Sequence, residues 1–284
     1  MPVLVARRID EALAAMGAEP RAEPLAGGTD LMVEINFGRK RLDNVVAIDR
    51  LDDLKTLASA RNERIRVGGG VTYTRLLREG AGSVALAEAS RTVGSPQIRN
   101  AGTLGGNVAT SSPAGDTLPV LAALEATIVL RSARGERRVP FAEFMTGPKR
   151  SVRRPDELVI AAEWDDAGPA QTFIKVGTRN AMVIAVASLA LVVDRTRRRV
   201  GVALGSCGPT ILRATDAERF AAGLFSERGW EKQLNATSGE ASEFGRLVSL
   251  AARPIDDVRG TAAYRRHVLA VIAGRALARV GAIA

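Results

Sequence analysis

The chain has 284 residues, of which 46% are apolar and 25% charged, and its net charge is +9. This composition is typical of a soluble globular protein with one large core or two to three smaller ones. A single cysteine, Cys207, excludes an intramolecular disulfide and a cysteine-ligated iron–sulfur cluster or zinc site in this chain. A single histidine, His267, argues against a histidine-rich metal site and a Ser–His–Asp triad. We therefore expect no metal site, and chemistry that comes from a cofactor.

The hydropathy pattern predicts a cytoplasmic protein without a membrane span. The longest apolar run, residues 181–193, is thirteen residues long, which is too short to cross a bilayer as a helix. The N-terminal residues lack a signal peptide's order of basic region, apolar region and small-residue cleavage site.

The first section, residues 1–53, is predicted to be a small α/β unit. A helix begins at Ile9 and is predicted to end with Gly17 as its C-cap. A strand over 24–26, a glycine turn and a helix beginning near 29–30 follow, and 44–49 is a second strand.

The second section, residues 54–176, is predicted to begin with a hairpin around the polar residues 61–63. The remaining elements alternate between apolar and turn-forming stretches. In chain order they are a helix from the cap Thr72 to Gly80, a helix over 84–91, a polar loop over 98–116, a helix over 118–126, a strand over 127–132 with Gly135 in the next turn, and strands over 156–164 and 171–177 joined by a turn.

The third section, residues 177–284, reads as strands followed by helices. We predict strands over 182–193 and 199–206, a helix over 212–223 that ends at Gly223, and a long helix over 261–282 with Tyr264, Val268, Ile272 and Leu277 on or near one face. Since no repeat or low-complexity linker separates the sections, we expect one compact α+β body.

Short arginine clusters, at 131–138, 149–154 and 195–199, supply much of the positive charge. Their simplest interpretation is solvated hairpin turns, and an anionic protein partner is the alternative. Nucleic-acid binding is disfavoured, because no aromatic residue is interleaved with these basic residues.

Two glycine-rich turns, at 25–30 ("LAGGTD") and 102–107 ("GTLGGN"), share paired glycines, a threonine and a polar residue. Glycine lets a ligand approach the main chain, and successive amides in such turns attract anions. Two such turns could hold a pyrophosphate, with further hydrogen bonds from the side chains of Thr29, Thr103, Asn107 and Thr110. Purely structural turns are the alternative, since neither Gly-x-Gly-x-x-Gly nor a phosphate-binding loop ending in Gly-Lys-Ser/Thr is present. Asp116 is either a hydroxyl acceptor or the cap of the next helix.

Residues 93–126 resemble the flavin-binding subunit of the molybdenum hydroxylases, the relatives of xanthine dehydrogenase and carbon monoxide dehydrogenase. The family pattern is matched by Ile98, Arg99, Asn100, Gly102, Thr103, Gly105, Gly106, Asn107, Pro113 and Asp116. Residues 25–31 resemble the first flavin loop of that family, and 173–188, 202–218 and 254–277 resemble its later blocks.

This resemblance implies an FAD cradle of the vanillyl-alcohol-oxidase or p-cresol-methylhydroxylase type in two parts, 1–53 and 54–176, followed by a C-terminal α+β domain over 177–284. It also implies a set of cofactor-binding residues. They are Leu25, Ala26, Gly27, Gly28, Thr29, Asp30, Leu31, Val93, Thr103, Leu104, Gly105, Gly106, Asn107, Thr110, Asp116, Val159 and Lys175. Lys175 falls where the family has a basic residue near the isoalloxazine ring and could tune the flavin, whereas Val93 stands where some relatives stack an aromatic ring.

The implied function is electron transfer. A large partner subunit carrying a molybdopterin cofactor oxidises the substrate, a small partner carries two [2Fe–2S] clusters, and FAD in this chain passes the electrons to NAD⁺, oxygen or another soluble acceptor. The resemblance implies a dimer of such heterotrimers. A stand-alone flavin oxidase or reductase and a non-catalytic scaffold are the alternatives. The shortage of His, Tyr and Cys argues against the first and the two intact glycine turns against the second.

Overall fold

A computed structural model describes residues 2–283, except 20, 59–63 and 81. The first section contains β1 Val3–Val5, α1 Ile9–Ala18, β2 Ala22–Leu25, α2 Leu31–Asn36 and β3 Asn44–Ala47. The second contains β4 Leu57–Ala58, β5 Arg64–Gly68, α3 Tyr73–Glu79, α4 Val84–Thr92, α5 Pro96–Ala101, α6 Leu104–Thr110, α7 Thr117–Ala123, β6 Thr127–Ser132, β7 Gly135–Pro140, α8 Phe141–Phe144, β8 Met145–Gly147, β9 Arg150–Ser151 and β10 Leu158–Asp165. The second section ends with β11 Gln171–Val176, which joins the sheet of the third section. The third contains β12 Ala187–Asp194, β13 Arg199–Gly205, β14 Leu212–Arg213, α9 Thr215–Arg228, α10 Ser238–Ala251 and α11 Ala262–Gly281.

The first section forms the predicted α/β unit, with a parallel sheet in the order β1-β3-β2. The prediction that α1 ends at Gly17 is wrong, since the helix continues to Ala18. Glu19 then adopts an extended backbone (φ −124°, ψ 89°), as expected for a residue that precedes a proline in the sequence.

The second section is built on an antiparallel sheet in the order β4-β5-β10-β6-β7. The two arms of the predicted hairpin do pair, as β4 and β5, and its turn lies outside the described residues. The predicted helix after Thr72 is confirmed: the Thr72 hydroxyl accepts from the Arg75 amide at 3.3 Å, and Gly80 ends the helix at φ 70°. Gly135 was expected in a turn but is the first residue of β7.

The stretch predicted as a polar loop contains two short helices, α5 and α6. Each has an N-cap hydroxyl: Ser95 accepts from the Ile98 amide, and Thr103 accepts from the Gly106 amide. Pro96 stands at the first position of α5, where its missing N–H costs nothing. These caps offset the low helix propensity of the glycines, so the residues that looked like a loop fold as helices.

The third section carries a second antiparallel sheet in the order β11-β12-β13-β14, covered by α9, α10 and α11. β12 begins at Ala187 and not at 182, because its partner β11 ends opposite that residue, with Val176 paired to Ala187. The strand predicted at 171–177 therefore pairs with β12 and not with β10.

Two helix predictions in this section need correction. α9 continues past Gly223 to Arg228, because Leu224 and Phe225 are buried in the core and outweigh the roughly 1 kcal/mol cost of a helical glycine. On α11 the expected apolar face is present except for Tyr264, which is about half exposed.

The second and third sections share one core. The apolar cluster around α7 and β6 includes Phe173 of β11, Ala190 of β12 and Ala203 of β13. Gly201 of β13 lies so close to the main chain of α7 that a Cβ there would overlap the carbonyl of Ala123. The second and third sections therefore pack as one body.

Many of the cluster arginines bind groups of this chain. The intrachain pairs with carboxylates are Arg131–Asp10, Arg134–Asp156, Arg137–Glu157, Arg138–Glu136, Arg197–Asp194 and Arg199–Glu125. Arg195 instead donates to the main-chain carbonyls of Trp230, Lys232 and Ile283. Six arginines of these clusters thus have a carboxylate partner within the fold.

Candidate functional site

A cleft with a volume of about 1170 Å³ lies between the first and second sections. One wall is the turn after β2, at the carboxyl end of the parallel sheet, where α/β folds commonly bind ligands. The opposite wall is formed by α6 and by the loop between β5 and α3.

Most of the residues proposed from the sequence line this cleft. They are Leu25, Ala26, Gly27, Gly28, Thr29, Asp30, Leu31, Thr103, Gly105, Gly106, Asn107, Thr110 and Val159. The other four do not line it. They are Val93, Leu104, Asp116 and Lys175.

The first glycine turn has the unpaired amides expected of an anion site. Among the described residues, the amides of Gly27, Gly28, Thr29 and Asp30 find no hydrogen-bond acceptor. Gly28 has a φ of 69°, a left-handed conformation that glycine adopts without strain. This turn can therefore offer main-chain donors to a negatively charged group in the cleft.

The second glycine turn differs from its expected design. The amides of Leu104 and Gly105 already donate to the carbonyls of Val71 and Gly69, at 2.9 and 2.8 Å, and the Gly106 amide donates to its cap Thr103. The expectation that both turns present free amides is therefore wrong for this one. This turn contributes its side chains to the cleft, and one of its glycines leaves open space there.

The glycines of the two walls have different roles. A Cβ on Gly27 would overlap the carbonyl of Ala101, and one on Gly105 would lie 2.6 Å from the carbonyl oxygen of Gly69. These two glycines permit close main-chain packing. Gly106 is different, because a Cβ there would meet only the Thr103 hydroxyl, at 3.0 Å. The small size of Gly106 leaves room in the cleft itself.

Asp116 and Lys175 form a buried ion pair behind the cleft, next to the lining residue Gly115. Lys175 Nζ lies 2.6 Å from Asp116 Oδ2 and 3.0 Å from the carbonyl oxygen of Thr92. Burial raises the pKa of the Asp116 carboxyl, and the ammonium of Lys175 opposes that rise. The other oxygen, Asp116 Oδ1, is buried without a hydrogen-bond partner. Asp116 stands at the N-cap position of α7, but its side chain makes no capping hydrogen bond.

The two remaining proposed residues belong to the packing behind the site. The Leu104 side chain is buried in the core under α6, and Val93 is partly buried against the same core. The carbonyl of Val93 accepts from the guanidinium of Arg99 at 3.0 Å, which fixes the turn before α5.

Several lining residues were missed by the sequence analysis. They include Gly69, Gly70, Tyr73, Arg75, Lys149, Arg153 and Ile184. The ring of Tyr73 is buried beneath Gly102, where a Cβ would lie 2.7 Å from it. Burial, together with the charges of Asp116 and Asp30, raises the pKa of Tyr73. The sequence offered one signal for this residue: it directly follows the helix cap Thr72, beside three consecutive glycines.

Residues 1–163 match the family model described as the FAD binding domain in molybdopterin dehydrogenase, and residues 172–280 match the CO dehydrogenase flavoprotein C-terminal domain. The chain belongs to the FAD-binding medium subunits of the molybdenum hydroxylase family. It is accordingly a flavoprotein subunit of an oxidoreductase. The fold expected from the sequence, an FAD-binding part followed by a C-terminal α+β domain of this family, is confirmed.

Relatives of this medium subunit include the glyceraldehyde dehydrogenase medium chain of Sulfolobus acidocaldarius, which is 31% identical over 97% of this chain and 96% of its own. The nicotinate dehydrogenase FAD-subunit of Eubacterium barkeri is 37% identical, over 57% of each chain. Among solved structures, CO dehydrogenase from Oligotropha carboxidovorans has the same fold, with a TM-score of 0.87 and 23% identity over 100% of this chain and 98% of that one.

The residues present fit FAD. A pyrophosphate needs main-chain donors, which the first glycine turn has free, and the cleft is larger than the 300–1,000 Å³ of pockets for drug-sized ligands. The space left by Gly106 also lies within this cleft. Among the helices of the described residues, none is both long and apolar enough to cross a membrane.

Proposed function

We propose that FAD binds in this cleft and that the chain passes electrons from the [2Fe–2S] clusters of a partner subunit to NAD⁺, oxygen or another soluble acceptor. The observation that carries the proposal is the first glycine turn, whose four residues line a cleft of suitable size and whose amides have no acceptor among the described residues. When bound, FAD supplies the redox chemistry, including the change between one-electron and two-electron transfer.

The chain's own contribution is to bind and orient the cofactor. In our proposal, the amides of residues 27–30 hold the pyrophosphate, and Thr103, Asn107 and Thr110 add side-chain hydrogen bonds from the opposite wall. Asn107 Oδ1 accepts from the Thr117 hydroxyl at 2.6 Å, which fixes the amide so that its NH₂ group is directed away from Thr117. Thr110 Oγ1 lies 3.4 Å from Asp30 Oδ2 and joins the two walls.

Asp116 and Lys175 form the electrostatic part of the proposed site. Asp116 Oδ1 has no donor among the described residues, which is costly for a buried carboxylate oxygen, but as acceptor for a hydroxyl of the cofactor it would have to be reached through the cleft wall at Gly115. Lys175 would keep a positive charge close behind the cleft wall, where it favours extra negative charge on the flavin ring. Lys175→Ala should shift the flavin midpoint potential, and an unchanged potential would remove this role.

The partners are proposed on the same basis. A large subunit would carry the molybdopterin cofactor and a small subunit the two [2Fe–2S] clusters, in a dimer of heterotrimers. Support comes from the matched FAD domain of molybdopterin dehydrogenases. Cys207 is the only cysteine of this chain, which also supports iron–sulfur clusters held on another chain.

Substitution at Gly106 tests the placement of FAD. Gly106→Val should fill the cleft and abolish the visible flavin bands of the purified chain while its thermal unfolding stays close to that of the FAD-free wild type. The matched control is Gly223→Ala, on α9 far from the cleft and with open space around it, which should retain FAD. A fully flavin-loaded Gly106→Val variant would contradict the placement. Co-purification with two partner chains and reduction of the flavin by substrate would test the electron path.

A further inference from the structure

The helix α2, which follows the first glycine turn, is weakly attached to the fold. None of its six residues is buried, and Met32 and Val33 are 45% and 43% exposed. A helix without a buried face gains little from packing and belongs to the least stable part of a fold. Leu31 and Glu34 of this helix nevertheless line the cleft.

Glycines in the left-handed conformation stand on both sides of α2. Gly28 precedes it with a φ of 69°, and Gly38 follows it with a φ of 67°. A Cβ on Gly38 would meet no other atom within 4 Å, and the Gly38 amide donates to the carbonyl of Ile35 at 2.9 Å, so this glycine ends the helix. These two glycines bound the segment 28–38, which we call the flap.

One ion pair ties this flap to the opposite wall. Lys149 Nζ, in the turn between β8 and β9, lies 2.5 Å from Glu34 Oε1 and 3.9 Å from Asp30 Oδ1. The Lys149 side chain is 49% exposed and that of Glu34 is 22% exposed. The base of the turn is anchored, because the Lys149 amide donates to the carbonyl of Ser111 at the end of α6, at 3.0 Å. An anchored turn thus contacts a weakly buried helix through a side chain that water can reach.

We propose that Lys149 is a positioning residue for the cofactor: its ion pair with Glu34 latches α2 over the cleft and slows the release of FAD. The latch acts through the first glycine turn, which leads directly into α2 and carries the unpaired amides. Since exposed ion pairs are weak, the latch can open thermally and its loss should change rates only severalfold. This inference rests on the proposed placement of FAD.

The test measures FAD release from the purified full-length chain, in its complex where partner chains co-purify. Loaded protein is diluted, and the fluorescence of free FAD is followed. Lys149→Ala and Glu34→Gln should each raise the release rate by roughly two- to fivefold. The double variant should be no faster than either single one, because both remove the same interaction. Lys149→Arg should release FAD at nearly the wild-type rate.

Two comparisons separate the latch from a general loss of stability. Arg246→Ala removes a similarly exposed pair with Glu243 on α10, remote from the cleft, and should leave the release rate unchanged. Added salt should speed release from the wild type more than from Lys149→Ala. Equal release rates for the wild type and Lys149→Ala, with FAD bound in both, would overturn the latch alone. A Gly106→Val chain that also retained FAD would overturn the placement as well.

Discussion

Asp116 and Lys175 are 59 residues apart in the sequence, yet their side chains meet in the interior, where they are 6% and 7% exposed. The pair joins the start of α7 to β11. Removing one partner of such a pair leaves the other charge buried and uncompensated, which costs about 3–5 kcal/mol.

Lys175→Met should therefore lower the free energy of unfolding by about 3–5 kcal/mol near neutral pH. Denaturation by urea measures this loss. Lys175→Met combined with Asp116→Asn, which leaves no charge behind, should recover a large part of it. A single variant as stable as the wild type would show that the pair is not a stabilising element.

The stability lost in the Lys175→Met variant should depend on pH. The pKa of Asp116 is raised by burial and held down by Lys175, so it should rise further when Lys175 is removed. A carboxyl whose pKa is higher in the folded than in the unfolded state contributes stability below its unfolded pKa, and that stability is lost as pH rises through the folded pKa. The destabilisation by Lys175→Met should thus be smaller at about pH 5 than at about pH 7.5. Equal losses at both pH values would contradict this.

Arg265 is a second buried charge with a structural role. Its guanidinium donates to the carbonyls of Val186 and Ser206 and to Asp257 Oδ1. Arg265→Met should lower the free energy of unfolding by about 1–3 kcal/mol, because the buried carbonyls of Val186 and Ser206 lose their donor, whereas Asp257 keeps Arg259 as a partner. The adjacent Arg266, which is exposed, provides the control: Arg266→Met should change stability by less than about 0.5 kcal/mol.

Gly27 tests the close packing of the two cleft walls. Gly27→Ala places a methyl group against the carbonyl of Ala101 and should lower the free energy of unfolding by about 1–3 kcal/mol. It should also weaken FAD binding, because the first glycine turn must move. Gly223→Ala, in an open helical position, should be neutral or stabilising by up to about 1 kcal/mol. If Gly27→Ala and Gly223→Ala had the same thermal stability, the close contact between Gly27 and Ala101 would not be needed for stability.

Cys207 should not react with thiol reagents in the folded chain. Its side chain is fully buried, and burial raises the pKa of the thiol to about 12. Because the thiolate is the reactive form, a thiol reagent at pH 8 should modify Cys207 only after denaturation. Rapid modification of the native chain would show that this part of the core opens.

The sequence was most informative where local signals were sufficient. Thr72 and Gly80 bound a helix because a hydroxyl cap and a left-handed glycine are local devices. Local composition misled at residues 98–116, where glycine, asparagine and threonine suggested a loop. The helix α6 forms there because Thr103 caps it and because the amides of Leu104 and Gly105 donate to the distant carbonyls of Val71 and Gly69.

The candidate site shows the same division. Its glycine turns were visible as motifs, and most of their residues do line the cleft. Whether the amides of the second glycine turn are free depends on which main-chain carbonyls pack beside them, and no sequence motif indicates this. The ion pair of Lys149 could not be predicted from the sequence either, because Lys149 and its partner Glu34 are 115 positions apart.

The overlap that a side chain at Gly201 would create with Ala123 has a consequence for chimeric subunits. Joining the FAD-binding half of one relative to the C-terminal half of another would bring together two surfaces whose main chains are complementary only within their own subunits. Such a hybrid should assemble only if the recipient keeps glycine at this place in β13, so the two halves are expected to be inherited together.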